Sequence, residues 1–144
     1  MDDNLRREII LDNYKEPFNK GLVEDDSYIK INSRSDSCID NLDFMMKLNN
    51  NIIEDIRFDG EACAISTSAT SILIRKLVGK SIDEGKEILT NYINMIDGKE
   101  YDEEILGELN IYDNIGKQPN RVNCALLPSR AIKKLLGDLE NGQN

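Results

Sequence analysis

The three cysteines of this chain lie far apart in the sequence, and the chain contains no histidine. They are Cys38, Cys63 and Cys124, and Asp40 stands two residues after the first of them. Three thiolates and one carboxylate match the ligand number of a closed tetrahedral metal site. If the four side chains bind one ion, the fold must bring three separate segments to one point.

The composition limits the class of partner. The length of 144 residues predicts one domain spanning residues 1–144, of which 40% are hydrophobic, and the net charge is −9. Nucleic acids and anionic membranes attract basic proteins, so we expect neither as a partner.

No apolar stretch approaches the roughly 18 residues of a transmembrane helix, and the N-terminus does not resemble a secretory signal. We therefore expect a cytoplasmic protein whose odd number of cysteines serves metal or redox chemistry rather than disulfides.

The N-terminal third of the chain predicts one helix followed by an unassigned segment. Residues 4–15 carry apolar side chains at helical spacing, and Pro17 closes this stretch. Residues 22–40 are polar and show no clear period.

The next stretch changes to a period of two, which is typical of β-strands. Residues 41–48 alternate between apolar and polar, with Met45 expected on the solvent face. Asn49–Asn51 predicts a turn, because asparagine tolerates left-handed backbone angles. Residues 52–58 then predict a second, antiparallel strand with Ile52 on its core face.

The remainder of the chain returns to helical periodicity. Helices are expected from Ile65 to Gly79, from a cap at Ser81 or Asp83 to Asp97, from Glu103 to Leu109 and from Cys124 to Leu136. Pro128 fits the last helix only within its first turn, and residues 138–144 are expected to form a flexible tail. The pattern predicts an α+β fold in which a small antiparallel β-sheet packs against several helices.

Two of the cysteines lie where a helix is expected to begin. The N-terminus of a helix favours a thiolate, which would suit Cys63 and Cys124 as ligands. Considered alone, each cysteine is more often a small buried hydrophobic residue than a metal ligand. Asp40 alone would be interpreted as a solvated loop carboxylate. Arg121, three residues before Cys124, is either a plain surface cation or part of the site.

Four stretches of sequence carry a resemblance to a known family. They are the N-terminal stretch from Ile9 to Gly21, Cys38-Ile39-Asp40, the stretch from Phe58 to Ser66, and the stretch from Arg121 to Leu127. In this order they resemble the SufU-type members of the NifU/IscU-like iron–sulfur cluster assembly family. The long gap between the second and third cysteines and the absence of a histidine before the last one are similar to the SufU-like branch.

The resemblance implies a function and a set of residue roles. A SufU-like protein is expected to bind zinc through Cys38, Asp40, Cys63 and Cys124, with Arg121 as a possible neighbour of the site. It would accept persulfide sulfur on Cys38 from a SufS-type, PLP-dependent cysteine desulfurase and pass it to downstream iron–sulfur assembly proteins, which makes it a possible sulfurtransferase. Two alternatives stay open: a scaffold that holds a [2Fe–2S] cluster on the same ligands, and an interaction domain with a purely structural metal.

The chain also departs from the family pattern at three positions. Ile39 and Ala62 replace glycines that usually flank the first two cysteines, and Ser129 replaces an aromatic residue after the third. The two glycine replacements are expected to stiffen the ligand-bearing loops.

Overall fold

The structure is a computed structural model that describes residues 1–34 and 39–142, with side chains described as far as residue 138 of the last helix. In chain order the elements are α1 (Asp3–Lys15), β1 (Ile29–Arg34), β2 (Asn41–Asn49), β3 (Ile52–Glu61), α2 (Ala64–Leu77), α3 (Ile82–Ile96), α4 (Glu103–Leu106), two 3-10 turns (Gly107–Tyr112 and Ile115–Lys117) and α5 (Pro119–Gly142). This arrangement confirms the predicted α+β fold.

The sheet has three antiparallel strands in the order β1-β2-β3. Asn50 and Asn51 join β2 to β3 with φ angles of 50° and 67°, so the predicted asparagine turn is confirmed. The segment left unassigned in the sequence contains β1, in which half-buried and exposed residues alternate. Its two isoleucines, Ile29 and Ile31, were the available signal for a strand.

The prediction that Ile52, the first residue of β3, lies on the core face is wrong. The pairing of β2 with β3 shifts by one residue between Lys47 and Leu48, which is a β-bulge. A bulge interrupts the strict alternation of side chains between the two faces of a strand. Ile53 is therefore buried together with Ile56, whereas Ile52 is 40% exposed.

The prediction that Met45 faces solvent is also wrong, because this side chain is fully buried. The segment 19–23 runs along the edge of β3, where the Gly21 N–H donates to the Phe58 carbonyl oxygen. It continues to Met45, whose Sδ accepts from the Val23 N–H at 3.4 Å. A loop that the periodicity could not place thus covers part of the second face of the sheet.

Helix α2 lies at the centre of the helical layer. It contacts α1, α5, β3 and the first 3-10 turn, and most of its side chains are buried. The polar ones include Ser66, Ser68 and Ser71, which are fully buried and hydrogen-bonded. A helix buried on most sides needs such bonds, because an unsatisfied buried hydroxyl destabilises the fold.

The last helix begins earlier than predicted. Pro119 is the first residue of α5, a position that tolerates proline because an N–H there would have no intrahelical partner. Cys124 is therefore inside the helix rather than at its N-terminus, and Pro128 lies well beyond the first turn. At its other end, α5 extends to Gly142 and so into the segment 138–144 predicted as a tail.

The helices also bear on the question of membrane insertion. In the part of the chain that the structure describes, none of them combines the length and the apolar character that crossing a bilayer requires.

Gly60 is expected to be the glycine least tolerant of substitution. It has a φ of +127°, and a Cβ at this position would overlap the Asn41 carbonyl oxygen. We expect Gly60→Ala to lower the free energy of unfolding by at least about 1–3 kcal/mol, the cost of backbone strain alone. Urea titration measures this change. Gly79→Ala is the control, because Gly79 also has a positive φ (+90°) but open space around it. Equal losses in the two variants would contradict the steric argument.

Candidate metal centre

The pairing of β2 with β3 brings the first two groups of the site together. Asn41, the first residue of β2, pairs with Glu61, the last residue of β3. Asp40 precedes this pair on one strand and Cys63 follows it on the other. The Cys63 N–H donates to Oδ1 of Asp40 at 2.7 Å, and the carboxylate is only 2% exposed.

Cys63 is also the N-cap of α2. Its Sγ accepts from the Ser66 N–H at 3.4 Å, as a side-chain oxygen does at an ordinary N-cap. The expectation that Cys63 lies at a helix N-terminus is therefore confirmed. This bond fixes the thiol at the end of the helix, beside Asp40.

Cys124 reaches the site from the side of α5. In an uninterrupted helix, its carbonyl oxygen would accept from the N–H of residue 128, but Pro128 has no N–H. The Ser66 hydroxyl, from α2, lies 2.8 Å from this oxygen and can donate to it. Ser66 of α2 thus contacts the backbone of α5 at the carbonyl oxygen to which Pro128 cannot donate.

The three groups form a compact cluster. One ligand atom from each of Asp40, Cys63 and Cys124 lies within 4.8 Å of the others. Cys63 Sγ is 3.8 Å from Asp40 Oδ2. With bonds of about 2.0–2.3 Å, a tetrahedral zinc ion separates oxygen and sulfur ligands by about 3.5 Å, so this spacing fits a metal ion after a small adjustment. Cys38, the fourth predicted ligand, lies outside the described residues.

Arg121 lies beside this cluster rather than within the set of ligand atoms. It is exposed, and it lines a cavity of about 790 Å³ together with Cys63 and Cys124. Arg6 and Arg7 of α1 line the same cavity. Asp3 also lines this cavity and Arg6 is ion-paired with Asp113, so the wall carries both signs of charge, with arginines in excess.

The cluster rests on a hydrogen-bonded layer of buried side chains. The Tyr92 hydroxyl donates to the Ala125 carbonyl oxygen at 2.8 Å, and Ser68 Oγ lies 2.5 Å from the Tyr112 hydroxyl. Burial raises the pKa of both tyrosines above the usual value, so both phenols stay neutral. These bonds connect α2 and α5 to α3 and to the first 3-10 turn, which limits how far the cysteines can move.

Ser66 is the residue of the site that was not singled out from the sequence. Its Oγ is 2.6 Å from Asp40 Oδ2 and 3.7 Å from Cys63 Sγ. A signal was present, because the third residue of a helix commonly contacts its N-cap side chain, and Ser66 follows Cys63 by three.

Comparison with known proteins gives consistent results. A relative from Bacillus subtilis, named zinc-dependent sulfurtransferase SufU, is 36% identical over 141 residues, covering 97% of this chain and 95% of the relative. The iron-sulfur cluster assembly scaffold protein IscU of Streptococcus pyogenes is 27% identical and covers 99% of this chain and 89% of its own length.

A solved structure extends the similarity to the fold. The crystal structure of a putative iron-sulfur cluster assembly scaffold protein for the SUF system, from Fervidobacterium islandicum, superposes with a TM-score of 0.80 at 29% identity. The match covers 94% of this chain and 99% of that one. The family model for the NifU-like N terminal domain matches residues 5–125. The chain therefore belongs to the NifU-like N-terminal domain family.

Proposed function

We propose that this protein is a zinc-dependent sulfur acceptor that takes persulfide sulfur from a cysteine desulfurase for iron–sulfur cluster assembly. The observation that carries the proposal is the convergence of Asp40, Cys63 and Cys124 from three segments onto one point, at which Asp40 and Cys124 are buried and Cys63 is half-buried. The similarity to a relative named as a zinc-dependent sulfurtransferase supports the same reading.

The metal would be held by Cys38, Asp40, Cys63 and Cys124. When bound, zinc keeps its cysteine ligands deprotonated and holds the segments that carry them together. Four ligands close the coordination shell, so a cysteine must leave the metal before it can react. We assign that role to Cys38, because Cys63 is fixed as the cap of α2 and Cys124 lies inside α5.

The transfer is an exchange between two sulfur atoms. The Cys38 thiolate attacks the outer sulfur of the persulfide on the donor protein, and a new S–S bond forms on Cys38. The S–S bond of the donor breaks, and its own cysteine leaves as a thiolate. No external oxidant or reductant is needed, because the outer sulfur moves with no net change in electrons.

The donor is expected to be a PLP-dependent cysteine desulfurase of the SufS type, and the sulfur would pass to downstream iron–sulfur assembly proteins. The cavity beside Cys63 and Cys124 provides room for a segment of such a partner, with Arg121 at its wall. The net charge of −9 suits a partner with a basic surface around that segment. We place the reaction in the cytoplasm, where thiols persist in the reduced state.

A second function deserves a test, namely assembly of a [2Fe–2S] cluster on the same ligands. The similarity to relatives named as iron–sulfur cluster assembly scaffold proteins favours it. Metal content separates the two functions. Colourless protein with one zinc per chain supports sulfur relay, whereas brown protein with iron and acid-labile sulfide supports the scaffold.

The direct test of sulfur relay is persulfide transfer. The zinc-loaded protein is incubated with a cysteine desulfurase and cysteine, and the modified residue is identified by mass spectrometry. We expect an added mass of one sulfur atom on a single cysteine, and no addition when the desulfurase or cysteine is omitted. If protein that carries one zinc never gains sulfur, the metal has only a structural role and the proposal is wrong.

A further inference from the structure

Ser66 contacts each of the three candidate ligand residues that the structure describes. Its Oγ lies 2.6 Å from Asp40 Oδ2 and 2.8 Å from the Cys124 carbonyl oxygen. Its N–H donates to Cys63 Sγ at 3.4 Å. The side chain is fully buried, so water does not compete for these contacts.

The carboxylate of Asp40 is held by both of its oxygens. Oδ1 accepts from the Cys63 N–H at 2.7 Å, and Oδ2 accepts from the Ser66 hydroxyl. With a donor on each oxygen, rotation of the carboxylate would break at least one hydrogen bond. Hydrogen bonds to a charged acceptor are also stronger than neutral ones. The donors therefore set the direction in which Asp40 presents its remaining lone pairs.

The position of the Ser66 hydroxyl is itself set by α5. A hydroxyl has one proton, so it can donate to only one of its two acceptors at a time. The second acceptor, the Cys124 carbonyl oxygen, lies 2.8 Å from Ser66 Oγ, and Pro128 has no N–H to donate to it. A carboxylate that binds a metal is ionised and is the stronger acceptor, so the Ser66 proton faces Asp40 Oδ2 while Oγ stays in contact with α5.

We propose that Ser66 is a positioning residue of the metal centre, whose hydroxyl orients the Asp40 carboxylate for the metal. The inference rests on the proposed function, because it concerns the ion that the same site would bind. Ser66 does not ligate the metal; it acts through Asp40. Groups that hold metal ligands by hydrogen bonds commonly change metal affinity by about 10–100-fold when they are removed.

The test compares zinc affinity in two serine variants by competition with a chromophoric chelator. We expect Ser66→Ala to weaken zinc binding by about 10–100-fold. Ser68→Ala is the matched control, because Ser68 is an equally buried serine of α2 whose hydroxyl bonds to Tyr112 and to the Ile65 carbonyl instead. Zinc affinity in Ser68→Ala should stay close to that of the wild type. Equal affinities of Ser66→Ala and wild type would overturn the inference.

A double-mutant cycle with Asp40→Ala separates positioning from packing. If Ser66 acts through Asp40, Ser66→Ala should cause no further loss of affinity once Asp40 is replaced. Independent, additive losses would overturn the inference, since they would mean that the serine acts through α5 or through general stability. The melting temperatures of the metal-free variants report general stability directly. Wild-type protein that binds no zinc would instead contradict the proposed function itself.

Discussion

Replacing Cys38 by serine is expected to abolish the acceptance of persulfide sulfur while part of the metal affinity remains. Cys38 precedes Asp40 by two residues in the sequence, whereas Cys63 caps α2 and Cys124 lies within α5. Because helices hold Cys63 and Cys124, we expect Cys38 to be the thiolate that leaves the metal, and only a thiolate can attack the donor persulfide. A serine hydroxyl has no comparable nucleophilicity at neutral pH. Mass spectrometry after incubation with desulfurase and cysteine measures the outcome.

Asp40→Ala is the comparison for this variant, because it removes a proposed ligand but keeps the proposed nucleophile. It should bind zinc more weakly and still carry persulfide on Cys38. Cys124→Ser should also lose metal affinity without removing the nucleophile. Persulfide found on Cys63 or Cys124 of the Cys38→Ser protein would show that the roles are assigned wrongly.

Removal of the metal is expected to lower the thermal stability of the protein strongly. The site joins the start of β2, the start of α2 and the interior of α5. Structural zinc sites can contribute about 10–16 kcal/mol of apparent binding free energy, part of which appears as folding stability. Even about 3 kcal/mol would lower the melting temperature by about 10 °C in a chain of this size. Calorimetry before and after exhaustive chelation measures the shift.

A variant that cannot hold the metal supplies the control for chelation. Cys63→Ser should melt at a lower temperature than the wild type, and chelator should not lower it further. Restoring one equivalent of zinc should recover the melting temperature of the wild type only. A wild-type melting temperature that chelation leaves unchanged would contradict a role for the metal in stability.

Several features of the fold were predictable from the sequence because short stretches of chain determine them. The Asn50–Asn51 turn follows from the tolerance of asparagine for positive φ, and both residues adopt it. Ser81 caps α3, and its reciprocal bonds with Glu84 are a local pattern of the helix start. Cys63 lies at the start of α2 for the same kind of reason.

The errors occurred where a distant segment decides the environment of a residue. Met45 was predicted to be exposed, but the segment 19–23 covers it. Ile52 was placed on the core face, but the bulge between β2 and β3 turns it outward. Pro128 was expected within the first turn of the last helix, because a proline further along removes a backbone hydrogen bond and destabilises an isolated helix. In the folded protein, the hydroxyl of a serine 58 residues away lies 2.8 Å from the Cys124 carbonyl oxygen, which Pro128 cannot donate to.

The sequence by itself determined which chemistry is available: three thiols, one nearby carboxylate and no histidine limit the metal ligands to sulfur and oxygen. It also determined most helices and two of the strands, because periodicity and capping depend on neighbours within a few residues. Only the tertiary structure decided which groups meet. The pairing of Asn41 with Glu61 brings Asp40 to Cys63, and α5 brings Cys124 to Ser66. Such contacts depend on the packing of whole elements against one another, and a one-residue change in strand register or helix start would separate them.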